Sequence, residues 1–271
     1  MSAKSRKLRL AVLVSGSGTN LQSLMDRSEA GSLEAEVVAV AGDRPGALGL
    51  ERARKASLPA YGLDFGDFRQ GWENLSPELR QAVRRIEPVQ RVVRHPDPVE
   101  ARNRLARRVA FEHELIRALE KHEPDFVCLA GFMRLLTPYF LQRFGGEALP
   151  GVLNIHPALL PAFPGERGYE DTFRYGCKWG GVTVHFVDEG EDTGPVIAQA
   201  VYPVWPDDGV EDLRRRGLRL EYEVYAQCVN WLARGEVEMV GEGSGDRLRV
   251  RVSDPAYPSV AKEWTRLALE D

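Results

Sequence analysis

Hydrophobic residues recur in a regular order through the first half of the chain. Residues 8–14 (LRLAVLV) are nearly all apolar, which predicts a strand buried on both faces. The turn SGSGTN follows at 15–20, and Leu21, Leu24 and Met25 then carry helical spacing. Residues 36–41 (EVVAVA) predict a second strand, broken at 42–45, and residues 48–56 a helix. A short third strand is expected at 59–63 and a long amphipathic helix at 102–122, stopped before Pro124. A fourth strand is expected at 126–130 (FVCLA). Alternating strands and helices, with strands apolar on both sides, predict an α/β fold. Its sheet is mostly parallel and twisted, with helices on both faces.

The pattern then changes. Residues 152–155 form a short strand that runs into NIHPALLPAFPGERG. Residues 181–188 and 195–203 alternate apolar and polar, which suits antiparallel neighbours in the C-terminal half. A last long helix is expected at 213–232 and a hairpin around GEGSGD at 236–252, followed by a polar tail. Residues 66–101 carry turn signals at Gly71, Pro77, Pro88, Pro96 and Pro98 but have no place in the alternation. They are read as an insertion.

Composition narrows the class. The 271 residues are 43% hydrophobic and 28% charged, which suits a globular protein and excludes disorder over most of its length. No apolar run approaches the roughly 20 residues of a membrane span. The basic-then-apolar N-terminus meets Gly16 and Gly18 too early for a secretory signal, so a cytoplasmic location is expected. Cys128, Cys177 and Cys228 are too scattered for a disulfide framework or a zinc site. The net charge of −4 gives no general pull toward nucleic acid or membranes. Nine arginines between Arg80 and Arg108 are the local exception, read as a solvated helical face.

Four places can carry chemistry. Gly16 and Gly18 allow close approach of backbone to a ligand, and Thr19 and Asn20 suit a helix N-cap. Together they form a candidate anion site for a phosphate. Asn154 and His156 share one side of a strand end, where open α/β sheets bind ligands. The first can hold an oxyanion and the second can move a proton. The stretch Asp188-Glu189-Gly190-Glu191-Asp192 offers an acid to orient His156 and raise its pKa, and spacing does not choose among the four acids. No serine or cysteine is placed as a nucleophile, so proton transfer at a carbonyl is the expected chemistry. Residues 129–136 (LAGFMRLL) read as a core or as an apolar slot for a flat heterocycle.

In this order, SGSGTNLQSL, GLERAR, LAGFMRLLTP, VLNIHPALLPAFPG and GVTVHFVDEGEDTGPVIAQ closely resemble the phosphoribosylglycinamide formyltransferases, folate-dependent enzymes of purine biosynthesis. The resemblance covers residues 8–65 and 102–235. It implies one Rossmann-like formyltransferase domain over residues 1–271. Residues 8–130 would be its nucleotide-binding half, with the insertion at 66–101. Residues 131–235 would be the folate-binding and catalytic half, and 236–271 a C-terminal extension. It implies direct attack of the glycinamide ribonucleotide amine on the formyl carbon of 10-formyltetrahydrofolate, with no metal. Asn154, His156 and Asp192 would be the catalytic trio, with His156 protonated. Gly18, Thr19 and Asn20 match the phosphate turn, and Glu221 the acid that engages the amine. Arg108, Leu129, Met133, Arg134, Leu135, Leu136, Leu141 and Asn154 match the folate site. The partners implied are these small molecules, not nucleic acid or membrane, with a monomer or homodimer as the assembly.

The loop Glu166-Arg167-Gly168-Tyr169-Glu170-Asp171 departs from the family, which usually has a histidine there. Two related enzymes and one non-enzyme compete. Methionyl-tRNA formyltransferase fits the arginines but resembles a longer chain with an RNA-binding domain. Formyltetrahydrofolate deformylase shares the trio but usually begins with a regulatory domain. A nucleotide- or RNA-binding module without turnover has no need of the full trio.

Overall fold

A computed structural model describes residues 6–69, 71–146, 148–241 and 248–270. Strand β1 (Leu8–Val14) is buried on both sides, as its composition requires. Leu10, Val12 and Val14 enter one apolar cluster, while Ala11 and Leu13 enter a second on the opposite face of the sheet. Around β1 lie α1 (Thr19–Glu29), β2 (Ala35–Gly42), α2 (Leu48–Lys55) and β3 (Ala60–Gly62). The chain then forms α3 (Pro77–Ile86), α4 (Pro98–Glu120), β4 (Phe126–Leu129), α5 (Pro138–Phe144), β5 (Val152–His156) and α6 (Gly168–Tyr175). Strands β6 (Trp179–Phe186) and β7 (Val196–Pro203) precede α7 (Val210–Ala233).

The seven-stranded sheet has the order β3-β2-β1-β4-β5-β6-β7. Strands β1 to β5 pair in parallel, and β5–β6 and β6–β7 pair antiparallel. The expected fold class is therefore observed. From β1 the chain builds outward through β2 and β3, then returns to place β4 on the other side of β1. The crevice at the C-terminal ends of β1, β4 and β5 lies where the strand order reverses, the usual ligand position in such sheets.

The tail is not merely polar. After β8 (Val237–Val240) and β9 (Arg249–Val252), which form the expected antiparallel pair, residues Tyr257–Leu269 form helix α8. Trp264 is buried against Trp231, whose ring also stacks on Tyr257 at 5.2 Å. The spacing Tyr257, Val260, Trp264, Ala268 was an apolar helical stripe inside a polar segment. The hairpin tip at 242–247 lies outside the described residues.

Residues 66–101 contribute α3 and the first turn of α4. Asp97 caps α4 by accepting from the Val99 and Glu100 amides, with Pro98 at the first helical position. The helix therefore starts earlier than its apolar pattern announced. Ala82, Val83 and Ile86 of α3 pack on Leu105, Ala106 and Val109 of α4 in a third apolar cluster. The arginines divide. Arg102 and Arg104 make exposed ion pairs with Glu87 and Glu100, and Arg84 and Arg102 lie over the Trp72 ring. Arg107 and Arg108 turn back to carbonyls of Phe68 and Leu135.

Candidate functional site

The site begins at the turn after β1. Gly18 has φ 67°, and a Cβ there would lie 2.5 Å from Gly49 Cα. Glycine is thus demanded both by the backbone and by the close approach of α2. Gly18 itself is the N-cap of α1, without a side-chain cap, so Thr19 and Asn20 are the first helical residues rather than caps. Their amides have no intrahelical partner and carry the helix dipole. A hollow of about 230 Å³ opens there, lined by Ser15, Gly16, Ser17, Gly18, Thr19, Asn20 and Arg44 among others. The Asn20 side chain is recruited elsewhere: its Nδ2 donates to Glu221 Oε2 at 2.5 Å.

Asn20, Gly131 and Met133 are shared with a deeper cleft of about 480 Å³. This cleft receives Asn154, His156, Asp192, Glu221, Arg108, Leu129 and the stretch 133–136. Two shallower hollows of about 660 and 610 Å³ contain none of the trio. Leu141 does not line the cleft; it sits on α5 and packs against the second apolar cluster.

Asn154 and His156 share one side of β5, as its alternation implied, and Asp192 meets them there. His156 Nδ1 lies 3.3 Å from Asp192 Oδ2, and Asn154 Nδ2 lies 3.5 Å from Asp192 Oδ1. Tertiary structure selects Asp192 among the acids. Asp188 is consumed in building the loop, accepting from the Gly190 amide at 3.0 Å and the Thr193 hydroxyl at 2.6 Å. Asp192 follows with φ 52°, a left-handed conformation that aspartate tolerates better than most residues, and accepts from the Gly165 amide at 2.8 Å.

The second nitrogen of His156, Nε2, lies 2.9 Å from the Phe163 carbonyl oxygen. Both ring nitrogens thus face acceptors, which a cation satisfies on two sides and a neutral ring on one. Burial nevertheless dominates and pushes His156 below its ordinary pKa, despite the opposing pull of Asp192 and the Phe163 carbonyl. The carboxylate does raise this pKa, but the ring is 3% exposed, and lost hydration outweighs the partner, so the net shift is downward. Burial also pushes Asp192 up, but His185, His156 and the Gly165 amide outweigh it and hold the carboxyl below its usual range.

His185 was not singled out from the sequence. It stands opposite Asn154 in the β5–β6 register, and its Nδ1 lies 2.8 Å from the Phe186 carbonyl. Its Nε2 lies 3.2 Å from Asn154 Nδ2 and 3.6 Å from Asp192 Oδ1, so the ring stands between two members of the trio. The alternation in GVTVHFV was the available signal. Only the register of β6 on β5 made it meaningful.

On the opposite wall, Arg108 donates to the Leu135 carbonyl at 2.7 Å. Arg134 is held by Asp43 at 2.7 Å and lies over the Phe65 ring at 4.1 Å. Beneath them Glu112 is fully buried, accepts from the Thr137 amide at 2.8 Å and neighbours Arg108. Burial raises its pKa to about 7 against the ordinary 4.5. Between those values the folded state holds a proton that the unfolded chain has lost, so stability falls as pH rises through that window. We expect this decline, up to about 3 kcal/mol, to be absent in Glu112→Gln. Denaturant titrations at several pH values check it; parallel curves for the two proteins would contradict it.

Among the described residues, no group of three or more His, Cys, Asp and Glu side chains is arranged to hold a metal ion. No helix of the described residues is long and apolar enough to cross a membrane.

Fold and cleft together define an α/β protein with a small-molecule-sized cleft at the C-terminal edge of its sheet. Residues 8–229 match the family model described as formyl transferase, and the chain belongs to that family. It is 39% identical over 233 residues to the phosphoribosylglycinamide formyltransferase of Mycobacterium tuberculosis, covering 86% of this chain and 88% of that one. The crystal structure of glycinamide ribonucleotide transformylase 1 from Symbiobacterium toebii matches with a TM-score of 0.68 at 36% identity, over 93% of this chain and 100% of the other. The trifunctional purine biosynthetic protein adenosine-3 of Drosophila melanogaster is 35% identical over 85% of this chain, which spans only 14% of that protein's length.

Proposed function

We propose that this chain is a phosphoribosylglycinamide formyltransferase. It transfers the formyl group of 10-formyltetrahydrofolate to the amine of glycinamide ribonucleotide in purine biosynthesis. The amine attacks the formyl carbon, a tetrahedral intermediate forms, and the bond from that carbon to folate N10 breaks as the proton the amine gives up is passed to N10. The observation that carries the reading is the meeting of Asn154, His156 and Asp192 at one end of a cleft whose other walls are the 133–136 stretch and the Asn20–Glu221 pair.

Asn154 holds the formyl oxygen as charge develops on it. Burial holds the His156 pKa below its ordinary value in the free cleft, against the pull of Asp192. An alkoxide forming beside it favours the cation, and Asp192 supports that cation from the other side. The Gly18, Thr19 and Asn20 turn takes the ribonucleotide phosphate. Glu221 takes the amine: it is buried, and the neighbouring Asn20 Oδ1 is buried with no hydrogen-bond partner among the described residues. Two acceptors side by side fit a donor with several hydrogens. Leu129, Met133, Leu135 and Leu136 line the pterin slot, with Arg134 fixing the loop and Arg108 at the anionic end of the folate. The same reading carries a cytoplasmic location, small-molecule partners without nucleic acid or metal, and a monomer or homodimer.

The test is a spectrophotometric assay of purified protein with 10-formyltetrahydrofolate and three acceptors: glycinamide ribonucleotide, charged initiator tRNA, and water alone. Folate turnover that depends on glycinamide ribonucleotide is expected. Turnover with tRNA or water in its place would overturn the reading.

A further inference from the structure

Tyr169 lies in the 166–171 stretch where this sequence departs from the resemblance, at the start of α6 rather than in a loop, and it is one of the most tightly placed side chains of the cleft. It is 4% exposed, and its hydroxyl donates to Glu221 Oε1 while Asn20 donates to Oε2. The ring is packed over Gly217, one helical turn before Glu221 on α7. A Cβ on Gly217 would lie 2.3 Å from Tyr169 Cε1, so any larger residue there displaces the ring. Arg214, two turns before Glu221, lies over the ring at 5.5 Å and is paired with Glu170 of α6 at 2.6 Å.

We infer that Tyr169 is a positioning residue for acceptor recognition: with Asn20 it clamps the Glu221 carboxylate in one orientation facing the cleft, and Gly217 makes the room for it. The inference deepens the proposed function and rests on it. A carboxylate with one donor fixed on each oxygen cannot swing, and each oxygen keeps a lone pair for the incoming amine. The clamp also controls charge. Burial pushes Glu221 up, while Tyr169, Asn20 and Arg214 oppose it. Tyr202 of β7 also faces the carboxylate, and its own pKa is pushed up by burial and by that charge. Burial and the same carboxylate push Tyr169 well above the ordinary phenol value, so its hydroxyl remains a donor at any working pH.

Tyr169→Phe keeps the ring and removes only the hydrogen bond. KM for glycinamide ribonucleotide should rise about tenfold, the value of one hydrogen bond to a charged group. The acid limb of kcat/KM for that substrate should move to higher pH, since a donor that favoured the carboxylate has gone. KM for formyl-folate and the thermal melting point should change little. In a Glu221→Gln background the same substitution should add almost nothing. An unchanged acceptor KM and acid limb would reduce Tyr169 to a tie between α6 and α7, as would a fall in stability with both KM values rising together. Additive effects with Glu221→Gln would also overturn it. Wild-type protein inactive toward glycinamide ribonucleotide overturns the functional reading together with this one. Active wild type with an unaffected Tyr169→Phe overturns this one alone.

Discussion

Replacing His156 with alanine slows formyl transfer at saturating substrates by about two to three powers of ten, with the fold retained. The side chain sits with one nitrogen 3.3 Å from Asp192 and the other 2.9 Å from the Phe163 carbonyl, so it holds a single orientation in the cleft. Its loss removes the cation that meets the developing alkoxide and leaves Asn154 as the remaining donor. Asp192→Ala should cost a similar amount by another route. The carboxylate orients His156, faces His185 at 3.6 Å and accepts from the Gly165 amide. Without it the influence that most opposes burial is lost, and the imidazolium becomes scarcer still at neutral pH. The two substitutions act on one unit, so the double variant should be little worse than either alone. Single-turnover rates and circular dichroism measure both points. Turnover like that of the wild type in either variant would remove the trio from the mechanism.

The second large effect falls on substrate binding. Glu221→Gln should raise KM for glycinamide ribonucleotide by about a hundredfold, with a smaller change in kcat. The carboxylate accepts on both oxygens, from Asn20 and from Tyr169. A glutamine offers one acceptor and one NH2 group, so it can keep only one of the two bonds as it stands, and the Tyr169 hydroxyl must turn from donor to acceptor for the other to survive. The negative charge that draws the amine is lost as well. Initial-rate kinetics with each substrate varied in turn separate this from a catalytic defect. A defect confined to kcat, or one shared equally by the folate KM, would move Glu221 out of the acceptor site.

The fold was legible where burial imposes a period. β1 shows it most clearly, since residues that alternate along seven positions divide between two cores. α5 and α6 were not read as helices, because each is short and lies next to a segment with an apolar or proline-rich character of its own. The apolar stripe of α8 is hidden from a reading by period because it is embedded among charged residues. At the site, the local motifs were legible and their partners were not. Asn154 and His156 could be set on one side of a strand end from alternation alone. Asn20 looked like a cap, and it became something else because Glu221 arrives 201 residues later.

The sequence by itself determined the sheet, its two apolar faces, the glycine turn and the presence of Asn, His and acid in the right order. These depend on local periodicity and on residue type, which any stretch of chain carries with it. Spacing left the acid open and the resemblance named Asp192, whereas tertiary structure alone decided that Asp188 is spent in its own loop, that His185 braces Asn154, and that Tyr169 and Asn20 share Glu221. It also decided that His156 sits below its usual pKa. Those outcomes depend on which distant segments meet and how much water they exclude. Lost hydration and long-range register are properties of the assembled cleft, and no window of sequence contains them.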